Sequence, residues 1–216
     1  MSVRAKICGI KTIEALDAAL DGGAHMIGLV FFEKSPRNVD LATAARLAKH
    51  AHGRADIVAL VVDPDDRLLA GIMEKVSPDM IQLHGQESPD RAAEVSALTK
   101  RPVMKAISVA SKADAARALD YKLAADLVLF DAKPPAGANL PGGNGVAFDW
   151  SHIVEVKERV SYMLSGGLTP ENVAEAIRQT GAYNVDVSSG VETAPGVKDA
   201  KLIRRFLQAV NTAKQT

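Results

Sequence analysis

Ile57-Val58-Ala59-Leu60-Val61-Val62 is followed at once by Asp63-Pro64-Asp65, and this junction decides the fold class. An unbroken apolar run rich in β-branched residues suits a parallel strand covered on both faces. The polar triplet that follows supplies a proline and two carboxylates suited to opening a helix. The same unit recurs in both directions. Strand candidates are Val3–Cys8, His25–Phe31, Ile57–Val62, Asp79–His84, Val103–Ile107, Asp126–Asp131, Ser161–Ser165 and Asn184–Ser188. Segments of helical periodicity lie between and after them, over Thr12–Gly22, Leu41–His52, Asp65–Val76, Pro89–Leu98, Ser111–Leu119, Trp150–Arg159, Pro170–Thr180 and Lys198–Ala213. Asp40, Ser88-Pro89, Ser111 and Thr169-Pro170-Glu171 stand where helices should start; Gly22-Gly23 and Gly181 stand where they should stop.

Eight such units in 216 residues predict an α/β fold, a (β/α)8 TIM barrel forming a single catalytic domain over residues 1–216. The alternative, an open flavodoxin-like sheet, needs fewer strands. The irregular stretch Lys133–Val146, rich in Pro and Gly, follows the sixth strand candidate. That is the end of a barrel that carries active sites, so the stretch is expected to form a lid.

Composition narrows the function. Lys+Arg and Asp+Glu number 26 each, and the balance argues against nucleic acid or an anionic membrane as partner. No stretch approaches the roughly 18 apolar residues of a bilayer span, and the N-terminus has no secretory pattern, so the cytoplasm is the expected location. The single cysteine excludes an internal disulfide. The five histidines show no metal-ligand spacing, and no Gly-x-Gly-x-x-Gly follows the first strand, so neither a metal nor a dinucleotide cofactor is expected.

Chemistry should gather at the C-terminal ends of the strands. Gly166-Gly167 follows the seventh strand candidate, and Ser188, Ser189 and Gly190 lie at the end of the eighth. Glycine turns there bring backbone N–H groups close to an anion, which suits a phosphate. Cys8 ends the first strand; a small buried hydrophobe and an acid/base group are both open readings. Asp131 ends the apolar run Leu127-Val128-Leu129-Phe130, where a carboxylate is costly unless it is partnered or catalytic. Asp186 shares an inward face with Ser188, to hold a substrate hydroxyl or to tie strands together. Arg37, in Ser35-Pro36-Arg37, can clamp a carboxylate or sit solvated in its loop. His84 follows Gln82 on one face, as a ligand-binding or a structural histidine.

These residues sit in segments that carry a resemblance over essentially the whole length. They are Lys6-Ile7-Cys8-Gly9-Ile10, Phe31-Phe32 with Ser35-Pro36-Arg37, Gln82-Leu83-His84-Gly85, Phe130-Asp131-Ala132 and Leu140-Pro141-Gly142-Gly143. Further along come Phe148-Asp149-Trp150, Gly166-Gly167-Leu168-Thr169-Pro170-Glu171-Asn172-Val173, and Asp186-Val187-Ser188-Ser189-Gly190-Val191-Glu192. In this order they resemble the phosphoribosylanthranilate isomerases. The departures, Lys11-Thr12, Asn144 and Ser165, remove none of the groups considered.

The resemblance implies an aldose–ketose isomerase of tryptophan biosynthesis that performs a cofactor-free Amadori rearrangement. Its substrate would be N-(5-phosphoribosyl)anthranilate, a small phosphosugar; apart from the resemblance, a monomer and a homodimer are both open. It implies Asp131 as general acid and Cys8 as general base. Arg37 would bind the anthranilate carboxylate, and Gly166, Gly167, Ser188, Ser189 and Gly190 the phosphate, with Asp186 and His84 against the sugar or ring. Two alternatives remain beside it: another phosphosugar aminoaldose isomerase, and a non-catalytic phosphate-ligand sensor.

Overall fold

The computed structural model describes residues 2–133, 137, 142 and 147–213. Eight parallel strands close into a barrel in chain order: β1 Arg4–Cys8, β2 Met26–Phe31, β3 Asp56–Val61, β4 Met80–Leu83, β5 Val103–Val109, β6 Leu127–Ala132, β7 Tyr162–Leu164 and β8 Asn184–Val187. Every strand candidate is a strand. β1 closes the ring against β8, with Lys6 level with Asp186.

Register sets what faces inward. Lys6 pairs Met26, Gly28 pairs Val58, Leu60 pairs Gln82, and Gln82 pairs Met104. Ser108 pairs Asp131, and Leu129 pairs Met163. Alternation then gives each strand one inward and one outward set. The lower interior is apolar: Met26, Val58, Met104, Leu129 and Met163 pack together, with Met80 against them. Unbranched, flexible methionines fill the irregular space of a barrel interior. Above them the inward positions turn polar, with Lys6, Gln82 and Asp186 buried below a mouth that carries Cys8, His84 and Asp131. The outward set, Ile7, Ile27, Leu29 and Val61 among it, packs with the helices in the main core.

The helices are α1 Ile13–Asp21, α2 Leu41–Ala51, α3 Asp66–Lys75, α4 Pro89–Thr99, α5 Lys112–Ala116, α6 Val173–Thr180 and α7 Ala200–Thr212. Asp40, Asp65, Ser88 and Ser111 each cap the expected helix by accepting a backbone N–H. Four segments differ from expectation. Trp150–Arg159 is not a helix: a 3-10 turn over Trp150–Ile153 leads into further turns. Its buried Ile153 and Val156 are three apart, a spacing that three-residue turns satisfy as well as a helix does. Ser111–Leu119 is helical only as α5 and continues as a 3-10 turn, Arg117–Tyr121. α6 starts at Val173 rather than Pro170. Asn172 does not cap it, because its side chain accepts from Thr169 N and donates to Gly167 O, bracing the preceding turn. The last helix starts at Ala200 behind an Asp199 cap, while Lys198 belongs to a small hairpin, β9 Glu192–Ala194 with β10 Val197–Lys198.

The expected lid over Lys133–Val146 lies outside the described residues, apart from Lys133, Gly137 and Gly142. Among the described residues no helix is long and apolar enough to cross a membrane.

A buried ion pair braces the loops beside the mouth. Lys105 Nζ, on the outward face of β5, lies 2.9 Å from Glu87 Oε2 and donates to Gly85 O. Glu87 also accepts the N–H groups of Asp63 and Gly85, so one carboxylate joins the loops after β3 and β4. Lys105→Met leaves that carboxylate buried without its cation, and equilibrium unfolding should show a loss of about 3–5 kcal/mol. Lys105→Met/Glu87→Gln should recover much of it; equal losses in both variants would refute the brace.

Tyr162 gives a pH test. Burial pushes its phenol up to about 12 from the ordinary 10.0, while the hydroxyl donates to Thr180 O at 2.9 Å. A raised folded-state value stabilises fully below the unfolded value, and the contribution is lost as pH rises towards 12. Tyr162→Phe should therefore show a shallower fall in stability over that interval in denaturant titrations; an unchanged slope would remove Tyr162 from the alkaline transition.

Candidate active site

The C-terminal ends of the strands surround a cavity of about 780 Å³, counting its open mouth. Cys8, Arg37, His84, Asp131 and Asp186 all line it, as do Gly166, Gly167, Ser188 and Ser189. Gly190 does not line it. A Cβ there would collide with the carbonyl oxygen of Leu168, so this glycine allows two backbones to pack rather than opening the cavity.

Cys8 ends β1 against Gly28 of β2. A Cβ on Gly28 would stand 2.7 Å from Cys8 Sγ, so only glycine leaves the sulfur its place. Lys6, fully buried two residues earlier on the same inward face, bonds Asp186 Oδ1 at 2.9 Å; Ser165 Oγ donates to Asp186 Oδ2 at 3.0 Å. Burial pushes the Cys8 thiol up; the Lys6 and Lys198 ammoniums pull against it and the Asp186 carboxylate adds to it, leaving the thiol above its ordinary value. Burial also acts to lower Lys6, but Asp186 and Cys8 outweigh it and keep the ammonium favoured.

Asp131 comes from β6, three strands round the barrel from β1. Its Oδ1 accepts from Ala132 N at 2.9 Å, and its Oδ2 lies 3.2 Å from His84 Nε2. His84 is oriented by Gln82, whose amide nitrogen sits 2.9 Å from Nδ1. With that nitrogen donating, the ring proton resides on Nε2, facing Asp131. The Gln82 amide oxygen is buried with no partner among the described residues. Gly142 lies over the pair: a Cβ there would stand 2.6 Å from Asp131 Oδ2.

Arg37 is not a solvated loop residue. Its guanidinium bonds both oxygens of Glu192, through Nε and Nη2 at 2.8 Å each, with both side chains almost wholly buried. Lys198 Nζ shares the same carboxylate at 2.7 Å and also donates to Ser188 O. Burial raises Glu192, but Arg37 and Lys198 overcome it and keep the acid ionised. Burial lowers Lys198 despite Glu192. Glu192 and Lys198, both on the small hairpin, carried no role in the sequence reading. The signal available was two opposite charges in the loop after the last strand, which marks no burial.

The phosphate candidates form the remaining wall. Gly166 and Gly167 adopt φ of +81° and +64°, a conformation that suits glycine, and both line the cavity. Ser188 Oγ donates to Cys8 O at 3.2 Å, which ties the end of β8 to the end of β1.

This geometry has relatives. The family model for N-(5'-phosphoribosyl)anthranilate (PRA) isomerase matches residues 5–209. The chain is 54% identical over 215 residues to the N-(5'-phosphoribosyl)anthranilate isomerase of Rhodopseudomonas palustris (strain BisA53), covering 100% of this chain and 99% of that one. It is similar in structure to phosphoribosyl anthranilate isomerase from Thermotoga maritima, with TM-score 0.87, 34% identity, and coverage of 96% and 98% of the two chains. A phosphoribosyl anthranilate isomerase in complex with reduced 1-(o-carboxyphenylamino)-1-deoxyribulose 5-phosphate matches with TM-score 0.84 and 32% identity, over 96% and 98% of the two chains. The chain belongs to the N-(5'-phosphoribosyl)anthranilate isomerase family.

Proposed function

We infer that the chain isomerises N-(5'-phosphoribosyl)anthranilate to 1-(2-carboxyphenylamino)-1-deoxyribulose 5-phosphate, a step of tryptophan biosynthesis, with Asp131 as general acid and Cys8 as general base. One observation carries the roles: a thiol and a carboxyl group, from strands three apart, face one cavity that also holds an arginine and two glycine-rich turns. The relative complexed with a reduced product-like phosphosugar supports the substrate class.

The chemistry follows from the groups. Asp131 delivers a proton to the furanose ring oxygen; the C1–O bond breaks and the anilino nitrogen supplies the electrons, leaving an open-chain iminium ion. The Cys8 thiolate then removes the C2 proton, and those electrons neutralise the iminium to give an enolamine. Tautomerisation returns a proton to C1 and yields the 2-ketone. Every electron pair moves within the substrate, so the two side chains only exchange protons. His84, with its Nε2 proton on Asp131, orients the acid.

Arg37 receives the anthranilate carboxylate. Glu192 holds the guanidinium plane in place, so that ordering it costs little on binding. Backbone N–H groups of Gly166 and Gly167, with Ser188 and Ser189, take the phosphate; Gly190 supports that turn from behind. Asp186 lies at the cavity floor beside Cys8. We assign residues 1–216 to one catalytic unit acting as a cytoplasmic monomer or homodimer.

Turnover is followed by the loss of substrate fluorescence. Cys8→Ser and Asp131→Asn should each lower kcat by ~10²–10⁴-fold while product-analogue affinity stays within a few fold. Wild-type binding without turnover would indicate a sensor or a related aminoaldose substrate, and near-normal kcat in either variant would remove that residue's role. Arg37→Lys loses the planar fork and should raise KM about tenfold with a smaller change in kcat. An unchanged KM would move the carboxylate elsewhere.

A further inference from the structure

Cys8 lies between two buried ammonium groups that neither bind substrate nor exchange protons in the reaction above. Lys6 is on its own strand, two residues deeper on the inward face, and is fully buried beneath the cavity floor. Its ammonium bonds Asp186 Oδ1 at 2.9 Å, and its charge acts to lower the Cys8 thiol. Lys198 approaches from the hairpin after β8, its side chain 2% exposed, and is anchored on Ser188, the residue whose hydroxyl donates to Cys8 O.

The carboxylates are not placed symmetrically. Asp186 serves Lys6 and Ser165. Glu192 serves two cations, accepting from Lys198 and twice from Arg37, so it compensates Lys198 only in part. Of the other ionisable groups lining the cavity, His84 Nε2 lies 3.2 Å from Asp131 Oδ2, and Lys133 follows the end of β6. Lys6, Lys198 and Arg37 are answered by two carboxylates, Asp186 and Glu192, and the positive charge left over beside the thiol favours an anion at sulfur.

We propose that Lys6 and Lys198 are positioning residues that form a two-sided cationic cradle favouring the Cys8 thiolate against the effect of its burial. Neither lysine touches substrate; each acts through the charge it presents to Cys8. This rests on the reading of Cys8 as the base. Burial drives the thiol towards its neutral form and leaves it above its ordinary value; the two ammoniums limit that rise and so enlarge the ionised fraction. The fold supplies them from opposite ends of the chain, one on β1 and one after β8, because those ends meet at the barrel seam.

The test uses the fact that Cys8 is the only cysteine. The rate of its alkylation by iodoacetamide is measured against pH, where the midpoint reports thiol acidity and the high-pH plateau reports access. Lys6→Met and Lys198→Met should each move the midpoint up by about one unit or more, a tenfold loss of thiolate at a fixed lower pH. Lys6→Met/Asp186→Asn removes the orphaned carboxylate as well, and its midpoint should fall between those of wild type and Lys6→Met. If Lys6→Met does not fold, the double variant and Lys198→Met carry the test. Folded variants with wild-type midpoints would overturn the cradle. In parallel, the acid limb of kcat against pH should move with the alkylation midpoint. Midpoints that shift while this limb stays fixed would keep the cradle and overturn Cys8 as the base.

Discussion

The ion pair between Lys6 and Asp186 stands where the first strand meets the last, and the register of the barrel depends on it. A one-residue slip of either strand at this seam would turn its member of the pair outward, into the apolar layer between strands and helices, and leave the other charge unanswered inside. At the seam that layer is built from Ala5, Ile7 and Val185, whose side chains offer nothing to an ammonium or a carboxylate. Inside, the pair is answered: Lys6 and Asp186 bond each other at 2.9 Å, and Asp186 also accepts from Ser165. Burying two charges is not a source of net stability. It is tolerated here because the wrong registers are far worse, and because the same pair lies under the chemistry.

Once register is set, the inward face sorts by height. Methionines and aliphatic residues fill the lower barrel, and polar groups occupy the level beneath the cavity and the mouth. The apolar layer keeps water from the floor, so the charges above it interact at low effective dielectric. This gives a thiol, a carboxyl group and their partners strong mutual influence over short distances. It also explains why the small residue at Gly28 matters: the sulfur occupies space that any Cβ would take.

The loops complete what the strands begin. The β9–β10 hairpin brings Glu192 and Lys198 against Arg37 and Ser188, and Glu192 fixes Arg37 from the loop after β2. On the opposite side, Glu87 and Lys105 join the loops after β3 and β4, beside His84. Positions on four separate loops are thus held by buried ion pairs and the bonds around them rather than by regular structure. Loops on a rigid scaffold can carry precise groups only when such contacts restrict them.

What the amino-acid sequence determined by itself was the alternation of eight strands with helices, the closure it implies, and the polar residues that end each strand. Those features are local: apolar runs, helical periodicity, capping residues and glycine turns act over a few residues. Cys8, Asp131, Arg37, His84 and Asp186 were legible for that reason, and all line one cavity. Local spacing was insufficient at Trp150–Arg159, where turns and a helix bury the same two residues, and at Lys198, where a hairpin displaced the expected helix start. Only the tertiary structure decided which charge answers which. Lys6 finds Asp186 at a separation of 180 residues, and Arg37 finds Glu192 at 155. No periodicity encodes such pairs, because they exist only once the ring of strands has closed and brought the two ends of the chain together.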